Sequence, residues 1–141
     1  VNKLGSQARN LSRLVNEAYE SENQMIIFPA GLCSRRIDGE IKDIPWGKLF
    51  VKKSRETSRD IIPIHFEGRN SDRFYSVATW CKRLRLKFNF AMMLLPDEMY
   101  KSAGKKYTLT IGKPISVSIL DNSKNDNEWA QEIRKTVYEL K

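Results

Sequence analysis

Apolar positions recur along this chain with helical and with strand periods, which predicts short helices separated by short strands. Between residues 11 and 19 the apolar side chains are spaced three and four apart, so they share one helix face, and Ser6 is the expected N-cap. Residues 24–28 have the length and apolar character of a buried strand, which Pro29 ends. The charged stretch at residues 29–45 is typical of a loop.

The rest of the chain continues this alternation. Pro63 lies inside the next apolar run, which places that run at a strand end or a sheet edge. Residues 88–94 fit a strand or a helix, and we prefer a strand. A polar linker at residues 121–127 precedes a final amphipathic helix. The other predicted elements are helices at about residues 46–56, 71–86 and 96–104, and strands at residues 60–66 and 107–111.

Helices that alternate with buried strands indicate the α/β class. We therefore expect one domain over residues 1–141, with a mixed sheet flanked by helices and without an internal repeat. Ligands of such folds usually bind where strands end and loops begin. This rule points to the loops that follow Phe28 and Phe66.

The charge balance narrows the classes of partner. With 25 basic and 17 acidic residues the net charge is +8, which favours polyanions, although a solvated basic face has the same composition. A nucleic-acid module needs basic residues among exposed aromatic ones, and the strand at residues 107–111 carries a single tyrosine. We therefore predict no nucleic-acid partner.

The remaining composition concerns the membrane and the compartment. No apolar run approaches the roughly 20 residues of a spanning helix, so any membrane contact is expected at the surface. Two cysteines are typical of a reducing compartment. The chain starts Val-Asn-Lys, without a start methionine or a signal peptide, and we expect a piece of a longer protein.

The first candidate loop spans residues 28–36. Ala30 and Gly31 let a ligand approach the backbone, and Arg35 and Arg36 offer planar forks for phosphate or carboxylate. An ordinary turn with solvated arginines fits the same residues. The spacing alone does not separate these two interpretations.

The second candidate loop contains His65, the single histidine of the chain. A nucleophilic arrangement would combine it with Ser34 or Cys33 and with Asp60. His65 also lies inside an apolar strand, where a hydrogen-bonded structural histidine is commoner. Metal binding is not expected, because one histidine and two distant cysteines lack the spacing of ligands.

Several short motifs then follow one another in an order that resembles a known family. They comprise Phe28, Pro29, Ala30, Gly31, Ser34, Arg35, Arg36, Gly39, Asp43, Trp46, Lys48, Phe50, residues 59–65 and residues 68–71. Together they resemble the glycerophosphate acyltransferase family, and most closely its bacterial hemolysin-like branch of lyso-amino-acid-lipid acyltransferases. The resemblance covers most of the chain.

The resemblance implies an enzyme that moves a fatty acyl group from acyl-CoA or acyl carrier protein to a lysolipid hydroxyl. It implies that residues 1–141 are the C-terminal portion of a single acyltransferase domain, with an acyltransferase-like α/β fold that is incomplete at the N-terminus. It also implies a peripheral place on the cytoplasmic side of the membrane. Family members use a His-x4-Asp motif in which the histidine is the general base. Here the residue five positions after His65 is Asn70, so the motif is absent and no catalytic residue is assigned. The chain alone is expected to be inactive.

A second departure concerns the acceptor. In the family motif Phe-Pro-Glu-Gly-Thr-Arg-Ser, Ala30 stands here for the glutamate and Cys33 for the arginine. The acceptor lipid can therefore carry either a phosphate or an amino-acid head group. A basic membrane-surface module without chemistry is the alternative function. No cofactor or metal is expected, and the expected substrate-binding residues are Lys3, Arg9, Phe28, Pro29, Gly31, Ser34, Arg35, Arg36, Pro63 and His65.

Overall fold

A computed structural model describes residues 10–86, 88 and 90–140 of the chain. Within these residues five helices and four strands alternate, which confirms the α/β class. Two short 3₁₀ helices, Phe90–Leu94 and Val117–Ile119, complete the regular structure of the described part. In chain order the elements are α1 Leu11–Glu20, β1 Arg35–Ile37, β2 Glu40–Lys42, α2 Leu49–Glu56, β3 Ile64–Glu67, α3 Asp72–Arg83, α4 Leu95–Lys101, β4 Thr108–Ile111 and α5 Asp126–Tyr138.

The described strands form two separate antiparallel pairs, β1–β2 and β3–β4. In the first pair Arg36 lies opposite Ile41, within a stretch predicted to be a loop. Asp38 and Gly39 both have positive φ, at 52° and 83°. This is the backbone of a two-residue hairpin turn, which Asp-Gly favours. The prediction of an irregular loop at residues 29–45 is therefore wrong at this hairpin.

The second pair joins distant parts of the chain. Ile64 lies opposite Ile111 and Phe66 opposite Leu109, and an isolated bridge between Ile61 and Ile115 extends the pairing. The side chains of one strand alternate between two faces. His65 therefore points to the face opposite that of its neighbours in β3.

Two buried clusters hold these elements together. One joins α2 to α5, and the other joins α3 to the first 3₁₀ helix. The buried residues are Phe50, Val51, Leu120, Ala130 and Ile133 in the first cluster, and Phe74, Tyr75, Ala78 and Ala91 in the second.

Capping residues set both ends of α3. The Ser71 hydroxyl accepts a hydrogen bond from the Phe74 amide, as an N-cap does. At the other end Arg85 adopts positive φ, and the Leu86 and Arg85 amides donate to the carbonyls of Cys81 and Lys82. This Schellman arrangement ends the helix at Arg83, before the predicted residue 86.

Two predicted strands are absent. Residues 24–28 are irregular and pair with no strand among the described residues, and Ile26 and Phe28 are 81% and 83% exposed. The sequence of such a short apolar run does not show whether the run is a strand, because that depends on a distant pairing partner. Most of residues 88–94 form the 3₁₀ helix Phe90–Leu94, in which Ala91 packs against α3. The predicted N-cap Ser6 lies outside the described residues.

Candidate functional site

The first candidate loop begins with a tight turn. The Gly31 amide donates to the Phe28 carbonyl at 2.9 Å, and Gly31 has φ of 65°. The Gly47 amide donates to the Pro29 carbonyl at 3.0 Å, which ties this turn to the start of α2. Phe28 therefore projects into solvent from a turn that is held on both sides.

A buried tyrosine connects the two candidate loops. The Tyr75 hydroxyl lies 3.1 Å from the Ser34 hydroxyl and accepts a hydrogen bond from the Asn70 amide at 3.2 Å. Tyr75 is fully buried in α3. Sequence reasoning missed this residue, although it lies on the apolar face of the predicted helix and carries a hydroxyl that needs a partner. The structure thus brings Ser34 beside the loop that precedes α3.

Arg35 is engaged by its own loop. Its Nη1 atom donates to the carbonyls of Cys33 at 2.7 Å and Ser34 at 3.0 Å. Its guanidinium also lies 5.7 Å from the centre of the Phe74 ring, within cation–π range. In this conformation Arg35 shapes the loop.

Arg36 faces the start of α3, together with a cation that the sequence analysis did not select. Asp72 Oδ1 accepts from Arg36 Nη2 at 2.8 Å and from Arg69 Nη2 at 2.9 Å. Two guanidinium groups thus share one carboxylate oxygen, and the cluster keeps a net positive charge. All three side chains are exposed, so the two arginines are accessible to an anionic ligand.

A buried carboxylate supports this cluster from α4. Glu98 accepts hydrogen bonds from the Ser71 amide, at 2.6 Å, and from the Ser71 hydroxyl. Burial by itself raises the pKa of Glu98, but the Ser71 hydrogen bonds and the nearby Lys101 outweigh burial, and the pKa lies below its usual range. The ionised carboxylate therefore anchors the N-cap of α3.

A cavity of about 340 Å³ opens beside the shared carboxylate. Three cationic side chains line it, and two of them come from the segment at and after α4. We call it the α3 cavity. Its lining residues are Arg69, Asn70, Ser71, Asp72, Glu98, Lys101 and Lys105.

A larger cavity, of about 500 Å³, lies between α1 and α2. Its cations already have partners: Arg59 Nη2 donates to the carbonyls of Ser21 and Asn23, and Lys53 pairs with Glu56. These contacts tie α1 and the segment after it to the end of α2. The larger cavity is lined by two cationic side chains and by the carboxylates of Glu20, Glu22 and Glu56, whereas the α3 cavity is lined by three cationic side chains and two carboxylates. The α3 cavity is therefore the better candidate for binding an anionic ligand.

Pro63 and His65 belong to a different part of the molecule. The Pro63 carbonyl accepts from the Gly112 amide at 2.9 Å. His65 is 9% exposed, and its ring lies edge-on to Tyr138 of α5 at 6.2 Å. Pro63 thus extends the pairing of β3 with β4 and His65 packs against α5, while Ser34 and Arg36 contact residues of α3.

The possible nucleophilic arrangement around His65 is not assembled. Among the described residues no hydrogen bond joins His65 to Ser34, Cys33 or Asp60. The Ser34 hydroxyl contacts Tyr75, and the Asp60 carboxylate accepts from the Val117 amide at 2.9 Å. The described residues also contain no cluster of His, Cys, Asp or Glu suited to a metal ion. Two further predicted binding residues, Lys3 and Arg9, lie outside the described residues.

The end of α3 carries exposed apolar and basic side chains together. Trp80 is 66% exposed, and the rings of Phe88 and Phe90 pack edge to face at 4.9 Å. In residues 10–86, 88 and 90–140, no ion pair involves the exposed basic side chains of this region. We call this surface the α3-end patch; it consists of Trp80, Lys82, Arg83, Leu84, Arg85, Leu86, Phe88, Phe90 and Met93.

None of the described helices has the length and apolarity needed to cross a bilayer. The α3-end patch combines indole, phenyl and basic groups, a mixture that is typical of interfacial segments.

Comparison with known proteins identifies a matching family and two similar proteins. The sequence model of a family described as "Acyltransferase" matches residues 1–141. A lyso-glycine lipid O-acyltransferase of Phocaeicola vulgatus is 54% identical over 140 residues, which cover 99% of this chain and 50% of that protein. A protein of the same name from Bacteroides thetaiotaomicron is 49% identical over 140 residues, covering 99% of this chain and 52% of that protein. The chain thus spans about half the length of the curated relatives it matches, and no solved structure matches it significantly.

Proposed function

This chain belongs to the acyltransferase family, and we propose that it is part of an enzyme that transfers a fatty acyl group to the hydroxyl of a lysolipid. The observation that carries the proposal is the identity of 54% to a lyso-glycine lipid O-acyltransferase along nearly the whole chain. Acyl-CoA or acyl carrier protein is the proposed donor. A lyso-glycine lipid is the proposed acceptor, following the names of both relatives.

The acceptor head group is proposed to bind between the first candidate loop and the start of α3. Arg36 and Arg69 share one carboxylate oxygen there, so an anionic group can take one or both guanidinium forks. The Tyr75 hydroxyl contacts both the Ser34 hydroxyl and the Asn70 amide, so it links Ser34 to the loop that carries Arg69. The α3 cavity adds Lys101 and Lys105. This arrangement suits a carboxylate or a phosphate on a small head group.

The general base is proposed to come from polypeptide outside this chain. The family resemblance requires a His-x4-Asp motif, whereas the His65 ring packs against Tyr138 and forms no hydrogen bond or ion pair with an acid among the described residues. Removal of a positioned base typically lowers the rate about 10²–10⁴-fold. This chain by itself is therefore expected to bind acceptor without turnover.

A chimera tests this proposal. The chain replaces the 140 matched residues of the Phocaeicola vulgatus relative, which is possible because the match runs along 99% of the chain. We expect the chimera to acylate lyso-glycine lipid and the chain alone to be inactive, with acyl-CoA and acyl carrier protein tried as donors. A folded chimera without acyl transfer to any lysolipid would contradict the proposal. Turnover by the chain alone that disappears in His65→Ala would instead make His65 the base.

Contact with a membrane surface is the second candidate function, and the α3-end patch favours it. The patch combines exposed Trp80 and the Phe88–Phe90 pair with Lys82, Arg83 and Arg85, which form no ion pair with any described residue. Each basic residue near an anionic surface contributes about 1 kcal/mol. We propose peripheral attachment through this patch, on the cytoplasmic side where anionic lipids are found. If the chain binds vesicles but the chimera transfers no acyl group to any lysolipid, the chain is better described as a membrane-binding module without enzymatic activity.

A further inference from the structure

The outward face of the β3–β4 pair is entirely apolar at its centre. The register places Ile64 beside Ile111 and Phe66 beside Leu109 on one face. Leu109 and Ile111 are 63% and 68% exposed, and no charged side chain lies between them. We call this surface the open sheet face; it consists of Ile62, Ile64, Phe66, Tyr107, Leu109 and Ile111.

The opposite face of the same strands is covered. His65 and Thr110 lie opposite each other there, and His65 packs against Tyr138 of α5. The face that carries the apolar side chains of β3 and β4 is therefore the exposed one among the described residues. An apolar sheet face needs a second layer that buries it.

The glycine that follows β3 leaves room for two aromatic rings of the open sheet face. A side chain at Gly68 would meet the Phe66 ring at 2.4 Å and the Tyr107 ring at 3.1 Å, so the two rings close over the glycine. Phe66 and Tyr107 pack with their centres 5.2 Å apart. The face is therefore an ordered surface, held by cross-strand packing.

We propose that the open sheet face is an interior interface, covered by the polypeptide that corresponds to the unmatched half of the relatives. The chain matches 50% and 52% of those proteins, so an equal length of their sequence is available to supply a second layer. A two-stranded pair is marginal by itself, and a contiguous apolar patch without charges is unusual on a free surface. The inference depends on family membership, not on the proposed reaction.

Charge separates this occupant from a lipid surface. Basic side chains surround the apolar residues of the α3-end patch, as contact with head groups requires. The alternation of the strands directs Glu67 and Thr108 to the opposite side, away from the open sheet face. A second protein layer matches the chemistry of the open sheet face better than a charged membrane surface does.

The irregular segment at residues 25–28 is a second apolar surface of the same kind. Its beginning is held by Arg59, whose guanidinium donates to the Asn23 carbonyl at 2.8 Å, and its end is held by the contact between Gly47 and Pro29. Four consecutive apolar residues are thus exposed on a segment fixed at both ends. We expect the same polypeptide layer to cover it.

Hydrogen–deuterium exchange on the chimera and on the chain alone tests the inference. We expect at least about 10-fold slower amide exchange in residues 62–66 and 107–111 of the chimera, because buried ladders open more rarely. Exchange at the α3-end patch serves as the internal reference and should stay the same. Equal exchange of the sheet peptides in a folded chimera and in the chain alone would overturn the inference.

A binding experiment adds a second measurement. The unmatched half of the Phocaeicola vulgatus protein is co-expressed with this chain, and the mass of the complex is measured. Leu109→Lys should weaken the 1:1 complex about 100-fold, since it buries an unpaired charge. Met99→Lys, on the exposed side of α4, is the matched control and should not weaken it.

Other occupants give other results. A homodimer of this chain that Leu109→Lys dissociates would overturn the inference in favour of a self-interface. Vesicle binding abolished by the same change would overturn it in favour of lipid. A chimera with protected sheet peptides but without acyl transfer would refute the proposed function alone, while an active chimera with unprotected peptides would refute this inference alone.

Discussion

Two exposed apolar regions of this molecule differ in the charges around them. The open sheet face presents aliphatic and aromatic side chains from two paired strands, without a charge among them. The α3-end patch presents indole, phenyl and leucine side chains interleaved with Lys82, Arg83 and Arg85. Both regions are comparably apolar, so hydrophobicity alone does not separate them.

The difference indicates what each region contacts. A protein interior penalises an unpaired charge, so a surface destined for burial excludes charges. A lipid interface is anionic at the head groups and apolar below, so a surface for it combines both kinds of side chain. We therefore interpret the first region as an internal interface and the second as an external one.

The largest expected effect is a loss of stability when a side chain of the open sheet face is truncated in the chimera. Phe66→Ala should lower the free energy of unfolding of the chimera by about 3–5 kcal/mol, as for a buried phenylalanine. In the chain alone, where Phe66 is half exposed and packs on Tyr107, the same change should cost about 1 kcal/mol or less. Phe90→Ala in the α3-end patch is the control and should cost little in both proteins. Urea unfolding measures all four values, and similar costs for Phe66→Ala in the two proteins would contradict burial.

The next effect concerns the charges of the α3-end patch. Changing Lys82, Arg83 and Arg85 together to glutamine should weaken binding to anionic vesicles about 100-fold, at about 1 kcal/mol for each charge. Binding should also weaken with added salt. The exposed residues Lys48, Lys106 and Lys113, changed together to glutamine, remove the same charge elsewhere and should have a smaller effect. Equal losses in the two triple variants, measured by vesicle sedimentation, would mean that net charge alone drives binding.

A smaller effect concerns the start of α3, where cations meet a substrate instead of a surface. Arg36→Ala in the chimera should raise the KM for the acceptor about 10-fold and leave the donor KM unchanged, because one charge-assisted hydrogen bond is lost. Arg35→Ala is the informative comparison, since Arg35 donates to its own loop. If only Arg35→Ala changes acceptor kinetics, the head group binds through Arg35 and not through the cluster around Asp72.

The smallest effect concerns acid stability at the same end of α3. The pKa of Glu98 lies below its usual value of 4.5, so its ionised form stabilises the fold at neutral pH. This stabilisation should be lost as the pH falls below about 4.5 and through the lower pKa of the folded state. Glu98→Gln should make thermal stability less dependent on pH in that range. Glu22→Gln, at an exposed site, is the control, and equal flattening of the pH dependence by both changes would contradict the role of Glu98.

Local sequence signals determined the helices well. The apolar spacing located α1, α2, α3 and α5, because a helix face needs only neighbours three and four residues away. The Asp38–Gly39 turn was equally readable, but the short β1–β2 hairpin carries few apolar residues and was interpreted as loop. The helix end at Arg85 depends on one residue with positive φ, which apolar spacing does not reveal.

The strands and the candidate site depended on contacts between distant segments of the chain. Residues 24–28 and residues 60–66 were both predicted to be strands, yet only the second run found a partner, β4, among the described residues. The motif residues identified the two candidate loops, while Tyr75, Arg69 and Glu98 joined them through contacts between distant segments. The sequence by itself thus determined the helices, the family and the basic loops, since these depend on local order. Tertiary structure alone decided which strands paired and which apolar faces stayed uncovered, because both depend on contacts between residues far apart in the chain.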